Sequence, residues 1–246
     1  MRWESLLLLE LCDSVTDMDV DFVGNATKEI LKHSALSALI SAVSLPIALV
    51  NVANMIDGAW TLAVERSEEA GVEFADIFVS RGAGRRPVTL VGFSMGAWAV
   101  YACLKRLVVL QEEWEALDRR DGRRETASVV EDAVVMGRPN HVSPASWRAI
   151  RGVVAGRLVN CYSTRAWIVG LMFQYKRPAG LGRAACGTSP VDVAGVQNRD
   201  VTHLVRSHGD YCVVMEYVLQ TNGFGLLRDA AMEEEESADK RRRHHD

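Results

Sequence analysis

The apolar positions of this chain fall into two textures. Up to about residue 80 they come at helical spacing or in unbroken runs: Leu6 to Cys12 and Ala26 to His33 read as helices. A further helix is expected from Ile56 to about Ala70, with Asp57 near its start and Gly71 ending it. From Pro87 onward, short β-branched runs alternate with helical segments. Pro87-Val88-Thr89-Leu90-Val91-Gly92, Val130 to Gly137 and Gly156 to Tyr162 have the length and composition of strands buried on both faces. Between them, Ala97 to Val109 and Ser143 to Val154 are helical in composition, the second with Pro144 suited to a first turn. Strands separated by helices imply βαβ units, so the fold class is α/β, a parallel sheet flanked by helices. Gln111 to Glu125 reads as solvated helix end and loop, Gly180 to Asp200 as loop, and Tyr211 to Gln220 as the last helix. Residues 1–228 are expected to form a single domain and 229–246 a charged, disordered tail, whose Lys240-Arg241-Arg242-Arg243 run reads as solvated.

One stretch departs from both textures. From Ser34 to Ile56 no Asp, Glu, Lys or Arg occurs, over a length that reaches the roughly 20 residues a bilayer crossing needs. Ser34, Ser37, Ser41, Ser44, Asn51 and Asn54 dilute its hydrophobicity, and Pro46 would kink a helix at its middle. It reads either as a membrane span or as a buried, lid-like or membrane-surface helical hairpin bent at Pro46.

Composition narrows the classes. The chain has 246 residues, of which 48% are apolar and 24% charged, with a net charge of -4. That excludes a disordered or collagenous protein, and it carries no basic face for nucleic acid. Cys12, Cys103, Cys161, Cys186 and Cys212 are odd in number, widely spaced and without a C-x-x-C pair, so neither a zinc site nor a disulfide framework is expected. No cofactor and no metal are expected, and the chain reads as facing a reducing, intracellular compartment. No secretory signal is read at its start, because Glu10 interrupts the leucine run.

The candidate chemistry is Gly92-Phe93-Ser94-Met95-Gly96, a G-x-S-x-G motif placed after an apolar strand and before a helix. That context is a nucleophile elbow: a sharp turn lifts the Ser94 hydroxyl to the carboxyl edge of the sheet. Small residues at 92 and 96 let neighbouring backbone pass, and the amide of Met95 can donate to a developing oxyanion. A serine nucleophile needs a base, and in this arrangement the chain order is Ser, acid, His. His208 lies just before the last helix, where such a base belongs, with His203 as runner-up. The acid should follow the strand ending near Tyr162, but that loop reads Ser163-Thr164-Arg165-Ala166-Trp167, without a carboxylate. Asp192, Asp200 and Asp210 are the nearest substitutes.

Three separated motifs in order carry a resemblance. They are Arg86-Pro-Val-Thr-Leu-Val-Gly-Phe-Ser-Met-Gly-Ala97, then Gly156-Arg-Leu-Val-Asn160 with Tyr162 and Trp167, and finally Val201-Thr-His-Leu-Val205 followed by Ser207-His-Gly-Asp-Tyr211. Together, from Trp3 to about Gln220, the chain resembles the transmembrane and coiled-coil domain-containing protein 4 family, eukaryotic proteins with an α/β-hydrolase-like domain of unknown function. The resemblance implies a serine-hydrolase fold with Ser94 as nucleophile and His208 as base, and membrane association through Ser34 to Ile56. It also implies an ester or lipid substrate. Three departures stand out. Ala166-Trp167 replaces the family's Asp-Trp, Gly137-Arg138-Pro139 replaces Gly-Ala-Pro, and the family's upstream strands, which would supply a second oxyanion donor, are not read before Val88. The expected protein is therefore a membrane-associated α/β-hydrolase-like esterase or lipase, lacking its N-terminal strands and weakened at the acid position. The alternative is a catalytically inactive scaffold or partner-binding protein on the same fold.

Overall fold

The computed structural model describes residues 60–80, 86–116, 126–166 and 185–224. The segments read above as 6–12, 26–33 and 34–56, and the tail 229–246, lie outside the described residues. Four strands, β1 (Val88–Phe93), β2 (Val130–Met136), β3 (Leu158–Tyr162) and β4 (Val196–Asp200), form one sheet in the order β1-β2-β3-β4. Every neighbouring pair is parallel. Residues 60–79 form helix α1, Met95–Ala116 form α2 between β1 and β2, and Pro144–Arg151 form α3 between β2 and β3. The expected α/β class, a parallel sheet flanked by helices, is what the strands and helices make.

The central strands bury because their residues are apolar on both faces. Val130, Ala133, Val134, Val135 and Met136 of β2, and Leu158, Val159 and Cys161 of β3, are all at most 2% exposed. Leu104 and Leu107 of α2, Trp147 and Ile150 of α3, and Ala75 of α1 join the same core. Burial also pushes the Cys103 and Cys161 thiols up to about 12, so both act as small apolar side chains. Helix α3 starts as its sequence suggests, with the Ser143 hydroxyl accepting from the Ser146 amide at 3.1 Å and Pro144 as the first helical residue.

Three sequence expectations need correction. Gly71 does not end α1, which runs on to residue 79. A Cβ at position 71 would lie 2.4 Å from the Ala99 carbonyl oxygen and 2.6 Å from the Ala102 Cβ. The glycine is therefore where α1 and α2 touch backbone to backbone, a tertiary use that sequence spacing does not reveal. The second correction is β4, which falls inside the stretch read as loop. Val196-Gln197-Asn198-Arg199-Asp200 carries a single apolar residue and is largely exposed, so it has no strand signal of its own. It pairs with β3, and Asn198 anchors the preceding turn by accepting from the Val191 amide and donating to its carbonyl, both at 2.8 Å. The third is α2, which continues through Ala116 beyond the expected end near Val109.

The chain divides into two compact units, Met1–Tyr211 and Cys212–Asp246. In the second, α4 (Tyr211–Thr221), whose first residue belongs to the first unit, ends on Gly223 in the left-handed region at φ 73°, with the Phe224 amide donating to the Leu219 carbonyl at 2.9 Å. No helix among the described residues is long and apolar enough to cross a membrane.

Candidate active site

Ser94 sits between the last residue of β1 and the first of α2, with φ 52°, the one non-glycine residue among those described with a positive φ. Its backbone is held from both sides: its amide donates to the Met136 carbonyl of β2 at 3.0 Å, and its carbonyl accepts from the Trp98 amide at 3.1 Å. A non-glycine residue in this region costs on the order of 1–3 kcal/mol, and it persists where neighbours over-determine it. Gly92 makes the turn sterically feasible, because a Cβ there would lie 2.4 Å from the Gly96 carbonyl oxygen. Gly96 differs from the sequence expectation: a Cβ on it meets nothing within 4 Å, so the close approach belongs to position 92 alone. The Met95 amide is the first of α2 and belongs to the turn whose N–H groups have no intrahelical acceptor.

Of the two candidate histidines, His208 is the one that the fold brings to Ser94. His203 is exposed, whereas His208 is 4% exposed and its Nε2 lies 2.8 Å from Ser94 Oγ. For the hydroxyl to donate to Nε2, the neutral ring carries its proton on Nδ1. The imidazole clusters with two aromatic rings, 4.8 Å from Phe93 and 6.2 Å from Tyr211 by ring centroids. Burial among them drives its pKa down to about 4. Gly137, at φ 55° directly after β2, leaves room for this cluster: a Cβ there would lie 2.9 Å from Tyr211 Cε2 and 3.3 Å from His208 Cε1.

The expected acid position holds no carboxylate. Ala166 is 3% exposed and its amide donates to the Ser163 carbonyl at 3.3 Å. The three substitutes do other work or face water. Asp210 Oδ2 accepts from the Arg206 and Ser207 amides at 2.8 and 2.9 Å and so shapes the loop that presents His208. Asp200 Oδ1 accepts from the Thr202 amide at 2.9 Å, and Asp192 is exposed. Ser163, which the sequence reading gave no role, is fully buried and ties the two loops together. Its hydroxyl donates to the Val205 carbonyl at 2.7 Å and accepts from the Arg165 amide at 3.2 Å.

Arg138 was visible in the sequence only as a departure from a family pattern. In the fold it is 1% exposed, with its guanidinium carbon 3.6 Å above the Tyr101 ring and 5.7 Å from that of Trp98. None of its three guanidinium nitrogens has a hydrogen-bond partner. Desolvation pulls its pKa down to about 10, which leaves it charged at neutral pH. Nearby, the Glu68 carboxylate accepts from Trp98 Nε1 at 3.2 Å. The described residues contain no group of His, Cys, Asp and Glu that could hold a metal ion.

Comparison with known proteins bears on what this arrangement is. The chain is 33% identical over 226 residues to an uncharacterised membrane protein of Caenorhabditis elegans, covering 91% of this chain and 34% of that one. It is 33% identical over 224 residues to the transmembrane and coiled-coil domain-containing protein STS1 of Oryza sativa subsp. japonica, covering 89% and 31%. A protein of Saccharomyces cerevisiae named probable lipase MIL1 is 29% identical over 237 residues, covering 96% and 21%. The chain thus spans about a third or less of the length of these curated relatives. No solved structure matches it. Residues 1–225 match the family described as protein of unknown function DUF726, and the chain belongs to that family.

Proposed function

We propose that the chain is a membrane-associated serine hydrolase of the α/β-hydrolase type acting on a carboxylic ester, with Ser94 as nucleophile and His208 as general base. The observation that carries this reading is the 2.8 Å contact between His208 Nε2 and a Ser94 hydroxyl mounted on a positive-φ turn between strand and helix. In the acylation step Ser94 Oγ attacks the ester carbonyl carbon as its proton passes to His208 Nε2. Negative charge gathers on the carbonyl oxygen, where the Met95 amide donates. The tetrahedral adduct then collapses, the imidazolium protonates the departing alkoxide, and an acyl group remains on Ser94. Water, deprotonated by His208, releases the acid and restores the serine. The yeast relative named as a probable lipase supports a lipid ester, and the names of the worm and rice relatives support membrane association. We assign that association to the apolar segment Ser34 to Ile56.

This is a weakened enzyme. An acid behind the histidine stabilises the imidazolium that forms, and its loss costs on the order of 10⁴-fold in kcat. Ala166 supplies none, and burial disfavours the charged ring further. The same alanine favours a second reading, a catalytically inactive membrane-bound scaffold on the hydrolase fold. Labelling with a fluorophosphonate probe separates the two. Covalent labelling that disappears in Ser94→Ala supports the enzyme; folded wild-type protein that resists the probe leaves the scaffold.

A further inference from the structure

The guanidinium of Arg138 is the least satisfied group in the described part of the protein. A buried cation is normally met by a carboxylate or by a set of hydrogen-bond acceptors, and one left without them calls for an unplaced partner. Here the face of the guanidinium is taken by Tyr101, whose hydroxyl also acts weakly on it, and its nitrogens, Nε, Nη1 and Nη2, make no hydrogen bond of normal geometry. The nearest carboxylate to act on it, that of Glu68, is exposed and receives the Trp98 indole N–H. Stacking orients the fork without using any of its donors, which is how an arginine is prepared for two parallel bonds to an oxyanion.

The position is as telling as the lack of a partner. Arg138 follows Gly137, whose Cα stands over His208 and Tyr211, and it comes two residues after Met136, whose carbonyl receives the Ser94 amide. It reaches α2 at Trp98 and Tyr101, and Trp98 is the residue whose amide closes the first turn onto Ser94. From Ser94 along the helix it is about 6 Å to Trp98 and about 10 Å to Tyr101, on whose ring the guanidinium stacks. The cation therefore lies over the first two turns of α2, the helix that begins at the elbow.

We propose that Arg138 binds an oxyanion, a phosphate or carboxylate group carried by the molecule whose ester Ser94 attacks, so that the substrate is an anionic rather than a neutral ester. This rests on Ser94 being the nucleophile. At 1% exposure the guanidinium is closed to bulk water, and the anion reaches it by displacing protein atoms that now cover it. Arg138 acts as a specificity-determining residue, holding the substrate while His208 and Ser94 carry out the chemistry.

Two measurements test it. The first compares kcat/KM for p-nitrophenyl butyrate with that for the mono-p-nitrophenyl ester of glutaric acid, and in detergent micelles for diacylglycerol against phosphatidic acid. The two pairs tell carboxylate from phosphate. In Arg138→Gln the anionic member of the preferred pair is expected to lose roughly 10- to 100-fold more than its neutral counterpart, the range of a lost charge-assisted contact, and Arg138→Lys to lose less. Equal losses for anionic and neutral esters in both pairs would overturn the proposal. The second measurement needs no turnover: melting of the wild-type protein and of two variants with rising inorganic phosphate, against chloride at equal ionic strength. A phosphate-specific rise in Tm, absent in Ser94→Ala with Arg138→Gln but kept in Ser94→Ala alone, supports an anion site at Arg138. If that rise is found while neither ester is turned over, the hydrolase reading falls and the anion site stands as a binding site, though not as a substrate subsite. If no rise is found and the ester ratio is unaffected by Arg138→Gln, the anion site falls while Ser94 chemistry remains open to its own test.

Discussion

His208 and Ser94 are 114 residues apart in the chain and 2.8 Å apart in space. Ser94 is placed by the turn between β1 and α2, and His208 by a loop that follows β4. That loop is braced by Asp210 on the Arg206 and Ser207 amides and by Ser163 on the Val205 carbonyl. Phe93 and Tyr211 form an aromatic cluster with the imidazole, which is buried. The pair owes its contact to the sheet edge and its electrostatics to the aromatic rings. Four outcomes follow from that.

Acid should act on this protein through His208. Its folded pKa, about 4, lies below the ordinary value of 6.5, so between those values the unfolded chain binds a proton that the folded one refuses. Stability from this group is complete above pH 6.5 and falls as the pH drops toward 4, by on the order of 3 kcal/mol. Urea denaturation at pH 7 and pH 4.5 should show a smaller loss in His208→Gln than in wild type. The acid limb of kcat/KM for a p-nitrophenyl ester should likewise fall near pH 4 to 5; a limb at 6.5 would contradict the desolvated imidazole.

Restoring a carboxylate at the acid position should strengthen the base. Ala166 is buried on the loop that Ser163 ties to the His208 loop, so Ala166→Asp is expected to raise kcat by on the order of 10²-fold or more. Initial rates on p-nitrophenyl butyrate read the change. A folded Ala166→Asp protein with unchanged kcat would show that this position does not serve the histidine.

The two glycines of the motif should behave oppositely. Gly92→Ala forces a methyl to 2.4 Å from the Gly96 carbonyl oxygen, so the elbow must shift, with a loss of several kcal/mol in stability and of most activity. Gly96→Ala meets open space within a helix and should hold or gain about 1 kcal/mol. Thermal melts of both variants check this, and equal destabilisation would show that position 96 is also a close approach.

Removing the Ser163 hydroxyl should loosen the loop that carries the base. Ser163→Ala leaves the buried Val205 carbonyl and the partly buried Arg165 amide without that partner, which costs about 1–3 kcal/mol. Because Val205 leads directly into the His208 loop, kcat should fall more than KM rises. A variant that loses stability with kcat unchanged would confine Ser163 to a structural part.

Much of the fold was legible in local pattern because the strands are short β-branched runs and the helices between them are capped by residues such as Ser143 and Pro144. Strand β4 was not, since an exposed edge strand needs only backbone pairing and shows no apolar alternation. Gly71 misled for a related reason: a glycine at a helix–helix contact and a glycine at a helix end look alike in sequence, and only the packing separates them, since a Cβ at 71 would lie 2.4 Å from the Ala99 carbonyl oxygen. The candidate serine was readable because its motif lies in five consecutive residues, and the chain alone determined that Ser94 follows a strand and precedes a helix. Tertiary structure decided which histidine meets it and that Ala166 is buried where an acid was expected. It also decided that Arg138 is a sealed guanidinium stacked on Tyr101 of α2. These are facts of distance and desolvation between residues far apart in the chain, and burial in a protein is a property of the neighbours that packing brings, which no single position encodes.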